Sequence, residues 1–418
     1  FWKDLNLNWL SSFKLRASYG VTGNNAISNT AAYATLIGSL YGGGAAYNAN
    51  SLGNSDLGWE KTHSTDLAAD FSFLNNAVQL SVDYYTKTTK DLLYQIPVAG
   101  ASGFTTTWAN VGEIKNNGVD IELTTHNLRG AFKWDTSFNM SFNHNKVGSL
   151  GADNTPIHSG FEGAGDGATA SNILAVGHPV NAFYMYKAIG VWKSQAEIDA
   201  YAKQCGVSKL TFQGSQVIKP GDIKYLDVNH DGNYTLADDR VYLGQPTPKV
   251  TYGLTNSFQW KGFDAQLLIT AQTGGKILGT IGRAIDRPSM GAQNNVYSWW
   301  KNAWWSESDP GDGKTPYVLS TTTGGTVDSR WLYSSDYLSV KNLTVGYTVP
   351  VKSKMISSLR VYASFENLLR FDHYKEGYSP ETANAPKTTA PGGATATGLD
   401  YGGYPTARMY TFGINLSF

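Results

Sequence analysis

The residues Asp227-Val228-Asn229-His230-Asp231-Gly232-Asn233-Tyr234-Thr235-Leu236-Ala237-Asp238 set oxygen-bearing side chains at positions 1, 3, 5, 7, 9 and 12 of a short stretch, with glycine at position 6. This is the spacing of a calcium loop, in which a sharp turn brings about six or more oxygens round one hard cation. Asp227, Asn229 and Asp231 offer side-chain oxygens, Asn233 its backbone carbonyl, Thr235 a hydroxyl or a bridging water, and Asp238 a carboxylate. The last position carries Asp and not Glu, so two readings stay open: a Ca2+ loop, or a metal-free turn rich in Asx residues. A cation held here would order a segment of chain and would not catalyse.

Other chemistry is sparse. The run Ser298-Trp299-Trp300-Lys301-Asn302-Ala303-Trp304-Trp305 puts aromatic faces close together, and Trp299 and Trp300 are candidates to stack on a sugar ring or a partner protein. The competing reading is a cluster that packs its own loop. The seven histidines form no HExxH or other close ligand pair, and no nucleophile elbow occurs. Gly163, Gly165 and Gly167 lack the strand-to-helix setting of a phosphate loop. Asp120 and Glu122 lie two apart on one strand face and read as charges in a polar lumen more readily than as an acid/base pair. Cys205 is the single cysteine and forms no internal disulfide, so the chain has no disulfide framework. No catalytic residue and no cofactor beyond Ca2+ is expected, and the chain does not read as an enzyme.

The elements that must carry these residues are strands. Period-two alternation recurs about ten times, with apolar side chains on one face and polar ones on the other. Phe13, Leu15, Ala17, Tyr19 and Val21 alternate with Lys14, Arg16, Ser18 and Gly20. Val78 to Tyr84, Val119 to Leu123, Phe138 to Phe142, Tyr252 to Trp260, Phe263 to Ile269, Leu343 to Val349 and Leu359 to Phe365 repeat the pattern. Heavy aromatic content (25 Tyr, 17 Phe, 12 Trp) beside 45 Gly suits strands and turns more than helices. Lys plus Arg equals Asp plus Glu at 33 each, so charge recommends no nucleic-acid partner.

Connections alternate between tight and elaborate. Short turns fall near Asn75-Asn76, His126 to Gly130, Lys261-Gly262 and Pro350 to Ser357, whereas 22–59, 90–107, 145–247, 273–334 and 369–403 are long. A transmembrane barrel has this asymmetry, with short periplasmic turns, long extracellular loops and strands of ~9–11 residues crossing the bilayer. No apolar run approaches the ~18 residues of a membrane helix. Lys14, Arg16, Asp83, Asp120, Glu122, Arg360 and Glu366 then face a lumen, and the apolar face meets lipid. A soluble β-sandwich with that face turned inward is the competing architecture. Tyr410, Phe412, Ile414, Leu416 and Phe418 alternate with Thr411, Gly413, Asn415 and Ser417 up to the last residue, a pattern that resembles the assembly signal of outer-membrane barrels.

From about residue 12 to its end the chain resembles the SusC/RagA family of TonB-linked outer-membrane transporters. The resemblance rests on FKLRASYGVTGNN (13–25), WANVGEIKNNGVDIEL (108–123), PGDIKYLDVNHDGNYTLADDRVYLGQPTPKVTYGL (220–254), YLSVKNLTVGYTVP (337–350), RVYASFENLLRF (360–371) and YPTARMYTFGINLSF (404–418). It implies an all-β fold, about ten antiparallel strands forming the C-terminal part of a 22-stranded barrel across residues 1–418, with an N-terminal plug and TonB box absent from this chain. It further implies import of oligosaccharides or peptides, energised by the TonB complex and shared with a SusD-like surface lipoprotein. The alternatives are a passive porin or an adhesin barrel without TonB coupling, and, as a third class, an outer-membrane enzyme.

Overall fold

A computed structural model of the chain describes residues 9–104, 106–151, 153–160, 171–286, 301–320, 322–352, 355–375, 377–381 and 397–418. One antiparallel sheet dominates it. Its ten strands follow chain order: β1 (Leu10–Asn24), β2 (Glu60–Phe73), β3 (Val78–Lys90), β4 (Glu113–Arg129), β5 (Phe132–Ser149), β6 (Val250–Trp260), β7 (Phe263–Thr273), β8 (Tyr337–Val349), β9 (Ser358–Asp372) and β10 (Met409–Ser417). Each strand pairs with its predecessor and successor, so the sheet is an up-and-down meander with β1 and β10 on its edges.

The tight turns all lie at one end. Trp260 pairs with Phe263 across Lys261-Gly262, whose φ values of 48° and 88° are both positive. That is the mirror-image turn whose twist matches the right-handed twist of the strands it joins, and Gly262 takes the second φ without a Cβ penalty. Asn75 and Asn76, at φ 55° and 61°, serve the β2–β3 turn in the same way.

Register turns the alternation into two faces. One rung runs Phe13, Phe71, Leu80, Leu123, Phe138, Leu254, Ile269, Val340, Leu369 from β1 to β9. The next rung, on the opposite face, runs Lys14, Asp70, Ser81, Glu122, Asn139, Gly253, Thr270, Ser339, Arg370. The apolar face is not covered by a second sheet: Leu15 is 70% exposed, and Leu67 and Phe263 each about half. A soluble sandwich would bury these side chains, because leaving a contiguous apolar surface of this extent in water is unfavourable.

The hydrophobic core lies instead in the long connections. The largest fully buried side chains, among them Trp192, Tyr186, Tyr225, Tyr234 and Phe183, all belong to excursions at the end opposite the tight turns. These excursions are shorter in loop and richer in structure than the sequence indicates. Asn145 to Ser149 extend β5, so the excursion expected from 145 leaves the wall after Ser149, and β4 begins at Glu113. Strands β4 and β5, at 17 and 18 residues, outrun the ~9–11 that cross a bilayer and lift the connections clear of it. The largest excursion carries helix α1 (Gln195–Gln204), and the next carries α2 (Thr280–Asp286). Among the described residues no helix is long and apolar enough to cross a membrane.

Candidate functional site

The polar face of the sheet carries fixed charge. Arg16 Nε lies 2.8 Å from Asp70 Oδ2 and its Nη2 3.1 Å from Asp83 Oδ1, while Ser81 Oγ lies 2.7 Å from the Asp70 carboxylate and 3.0 Å from that of Asp83, its one proton shared between them. Asp120 accepts from Ser141 Oγ at 2.5 Å. Arg360 reaches over β8 to Asp264 at 2.5 Å, crossing at Gly346, where a side chain would block the guanidinium. Lys14, Arg16, Asp83, Asp120, Glu122, Arg360 and Glu366, expected from alternation to share a face, do share it. These pairs are partly exposed, so they contribute little stability and mainly keep a row of ordered charges on that face.

Above the sheet, three excursions fold as one cap. Within the largest, Ser194 caps α1 by accepting from Glu197 N at 3.2 Å, and the Glu197 carboxylate accepts from Lys193 N at 2.9 Å. Burial opposes ionisation of Glu197, but Lys224 Nζ at 2.8 Å and the Lys193 N–H outweigh it and hold its carboxyl below the ordinary value. Ile198 and Ala202 then drop into a core with Trp192, Leu210, Tyr225 and Tyr234. The second excursion locks on through Asp328, which is fully buried. Its Oδ2 accepts from Tyr225 Oη at 2.7 Å and Arg330 Nη2 at 2.8 Å. Burial first, then the Asp328 charge, pushes the Tyr225 phenol far up, which keeps it the donor. Ser320 Oγ donates to Asp222 at 2.5 Å, and the Thr323 hydroxyl accepts from Ile223 N at 2.9 Å. The third excursion joins where Leu399-Asp400 pairs parallel with Leu278-Gly279, and Asp400 accepts from Tyr374 Oη at 2.7 Å.

The calcium-like stretch 227–238 lies on this cap, beside the C-terminus of α1. Asp227 is 3% exposed; its Oδ2 accepts from Gly232 N at 2.9 Å and Tyr201 Oη at 3.3 Å, and its Oδ1 is buried with no hydrogen-bond partner. Gly232 turns at φ 74° with Val207, Leu210 and Cys205 against it, so a side chain there would meet both strain and contact. Asp231 accepts from Asn229 Nδ2 at 2.9 Å and Asn233 N at 2.7 Å, and Asp238 Oδ2 accepts from Thr235 Oγ1 at 2.9 Å. Asn233 Oδ1 faces away, accepting from Thr211 Oγ1 and Gly214 N. The spacing did not reveal Asp239. Fully buried, it ties the stretch shut by accepting from Val228 N and Thr235 N, both at 2.8 Å. Among the described residues no three His, Cys, Asp or Glu side chains converge as metal ligands.

Of the tryptophan run, Trp299 and Trp300 fall outside the described residues. Trp304 packs its own cap: Nε1 donates to the Lys193 carbonyl at 2.9 Å and the ring lies against Gly221 and Tyr317. Trp305 is about half exposed. Cys205 sits at the C-cap of α1, where burial and then the Asp227 carboxylate push its thiol up and away from reactivity. Neither the Asp328–Arg330–Tyr225 lock nor the Arg16 network was singled out from the sequence. The one signal for the lock is an Asp and an Arg two apart at a short helical turn.

Residues 4–368 match the family model for the TonB dependent receptor-like β-barrel. The chain belongs to this family. It is similar to a TonB-dependent receptor of Formosa agariphila, at 32% identity over 100% of the chain and 40% of that relative. It is also similar to the TonB-dependent receptor SusC of Bacteroides thetaiotaomicron, at 25% identity over 100% of the chain and 38% of SusC. Among solved structures, that of the RagAB peptide transporter superposes with a TM-score of 0.77 at 26% identity, covering 98% of the chain and 41% of its counterpart. The chain therefore spans about 40% of the length of the relatives it matches. Members of this family are outer-membrane receptors and transporters, not enzymes. The uncovered apolar face of the sheet is accordingly the lipid face, and the charged face is the inner one.

Proposed function

We propose that these ten strands are the C-terminal wall of a 22-stranded barrel that imports oligosaccharides or peptides across the outer membrane under TonB drive. The observation that carries the reading is the pairing of a bare apolar face with a face of ordered ion pairs on one continuous meander. A bilayer requires the first, and an aqueous or plugged interior accommodates the second. The open edges at β1 and β10 support a wall completed by further strands, because unpaired backbone groups are not tolerated in lipid. The matched relatives, more than twice as long as this chain, leave room for those strands, for a plug and for a TonB-contacting segment. Tyr410, Phe412, Ile414 and Leu416, exposed along β10, support the assembly-signal role expected of the last strand, with Phe418 following it.

In the cycle we propose, a SusD-like surface lipoprotein and the cap capture substrate, TonB pulls on the plug, and substrate passes along the charged inner face. Fixed charges there, Arg16 with Asp70 and Asp83 above all, give the plug or the solute a hydrogen-bonding surface that does not reorganise as contents pass. The test is purification of the native protein from outer membranes with its companions. The expected result is a polypeptide carrying plug and TonB segments in complex with a lipoprotein. A polypeptide without a plug, purified alone and conducting ions in planar bilayers, would instead establish a porin.

A further inference from the structure

We infer that residues 227–238 bind a single Ca2+ ion, and that this ion fastens this stretch of the cap to the end of α1. The twelve-residue pattern supplies the donors. A cluster of this kind is weak evidence alone, and a separate observation points to a ligand: Asp227 is 3% exposed, and its Oδ1 is buried without a partner. A buried carboxylate oxygen left unpaired is costly, and a cation is a partner that would satisfy it. The sister oxygen holds the Gly232 N–H at 2.9 Å, which fixes the carboxylate toward the loop.

Position 7 is prepared in the same sense. Thr211 N donates to the Gly232 carbonyl and Gln213 N to that of Tyr234, so strand alternation turns the Asn233 carbonyl to the other side, away from this pairing. The Asn233 side chain is occupied elsewhere, leaving its backbone oxygen as the natural donor. Among the described residues none of Asp227, Asp231, Asp238 or Asp239 is ion-paired; the nearby Arg240 guanidinium is engaged by the Leu236 carbonyl at 2.6 Å and not by these carboxylates. Asp231 and Asp238 now bond within the loop, to Asn229 and Thr235. Rotations of these exposed side chains bring their oxygens to the ion, while Asp227 and Asp239 stay where the fold has set them.

The test uses the full transporter in detergent, treated with EGTA and titrated with Tb3+, whose luminescence nearby tyrosines sensitise. Tyr201 touches Asp227 and Tyr234 lies in the loop. The comparison is with D231N/D238N, in which the amide at 238 keeps an acceptor oxygen for the Thr235 hydroxyl and the amide at 231 keeps one for the Asn233 N–H while giving up the bond from Asn229. The expected result is a Ca2+-displaceable terbium signal of one ion per transporter, weakened about tenfold or more in the variant because affinity follows ligand charge. Calcium should also slow protease cleavage between 195 and 240 in the parent and not in the variant. Equal terbium signals in the two proteins, or no signal displaced by Ca2+, would overturn the assignment.

Discussion

Asp328 ties two excursions of the cap together. It is fully buried, held by both nitrogens of one edge of Arg330 and by the Tyr225 hydroxyl, and these partners come from two different excursions. Arg330→Ala removes the cation and leaves a buried carboxylate with two neutral donors, the Tyr225 hydroxyl and the backbone N–H of residue 330; the expected loss is about 3–5 kcal/mol of cap stability. Limited proteolysis should find cleavage in both excursions, with the sheet intact. Histidines give the cap a pH dependence. Burial, then Arg240, depresses His158, and burial, then Lys146, depresses His178; His178 stacks on Tyr242, and His158 makes a tilted contact with Tyr184. The folded cap disfavours the protonated form of both, so the stability they confer is present above their ordinary value of 6.5 and is lost as pH falls through it toward their lower folded values. Cleavage of the cap should therefore rise from pH 8 to pH 5.5, and less so in His178→Phe. A flat profile in both proteins would contradict this. The sequence made the oxygen pattern of 227–238 legible because it is local. It hid the Asp328 lock, whose members Tyr225 and Arg330 meet only after two excursions fold together.

The strands test their own faces. Gln266 and Leu267 are neighbours near the middle of β7, one on the charged face and one on the apolar face. Leu267→Arg should destabilise the barrel in lipid by about 2–4 kcal/mol, whereas Gln266→Arg, facing the interior, should be nearly neutral. Urea unfolding in liposomes measures both. Equal losses would show that the faces are wrongly assigned. Nine strands announce themselves by alternation because each supplies apolar side chains at every second position. Strand β2 does so weakly, since His63, Thr65 and Ala69 share its apolar face with Leu67, and its place follows from pairing with β1 and β3. The excursions were harder to read. Their joining into one cap depends on contacts between segments about 100 residues apart, such as Ser320 with Asp222 and Tyr225 with Asp328, and no periodicity encodes those.

The chain as a unit inverts the arrangement of a soluble protein, with its buried core in the loops and its apolar sheet face bare. That arrangement follows from the solvent: in lipid the sheet's outer side chains lose nothing by exposure, and only the cap, in water, must bury its own. Alternation together with the asymmetry of the connections was enough to foresee the outward apolar face, but not the core in the excursions; the proposed 22-strand closure, plug, lipoprotein partner and substrate class rest on the family resemblance and not on this pattern. The most direct measurement is uptake of labelled oligosaccharide and oligopeptide pools by the native bacterium, compared with strains lacking this transporter or lacking TonB. Driven import predicts that both deletions abolish accumulation of the same solutes. Accumulation lost with the transporter but unchanged without TonB would contradict it and make the barrel a passive pore.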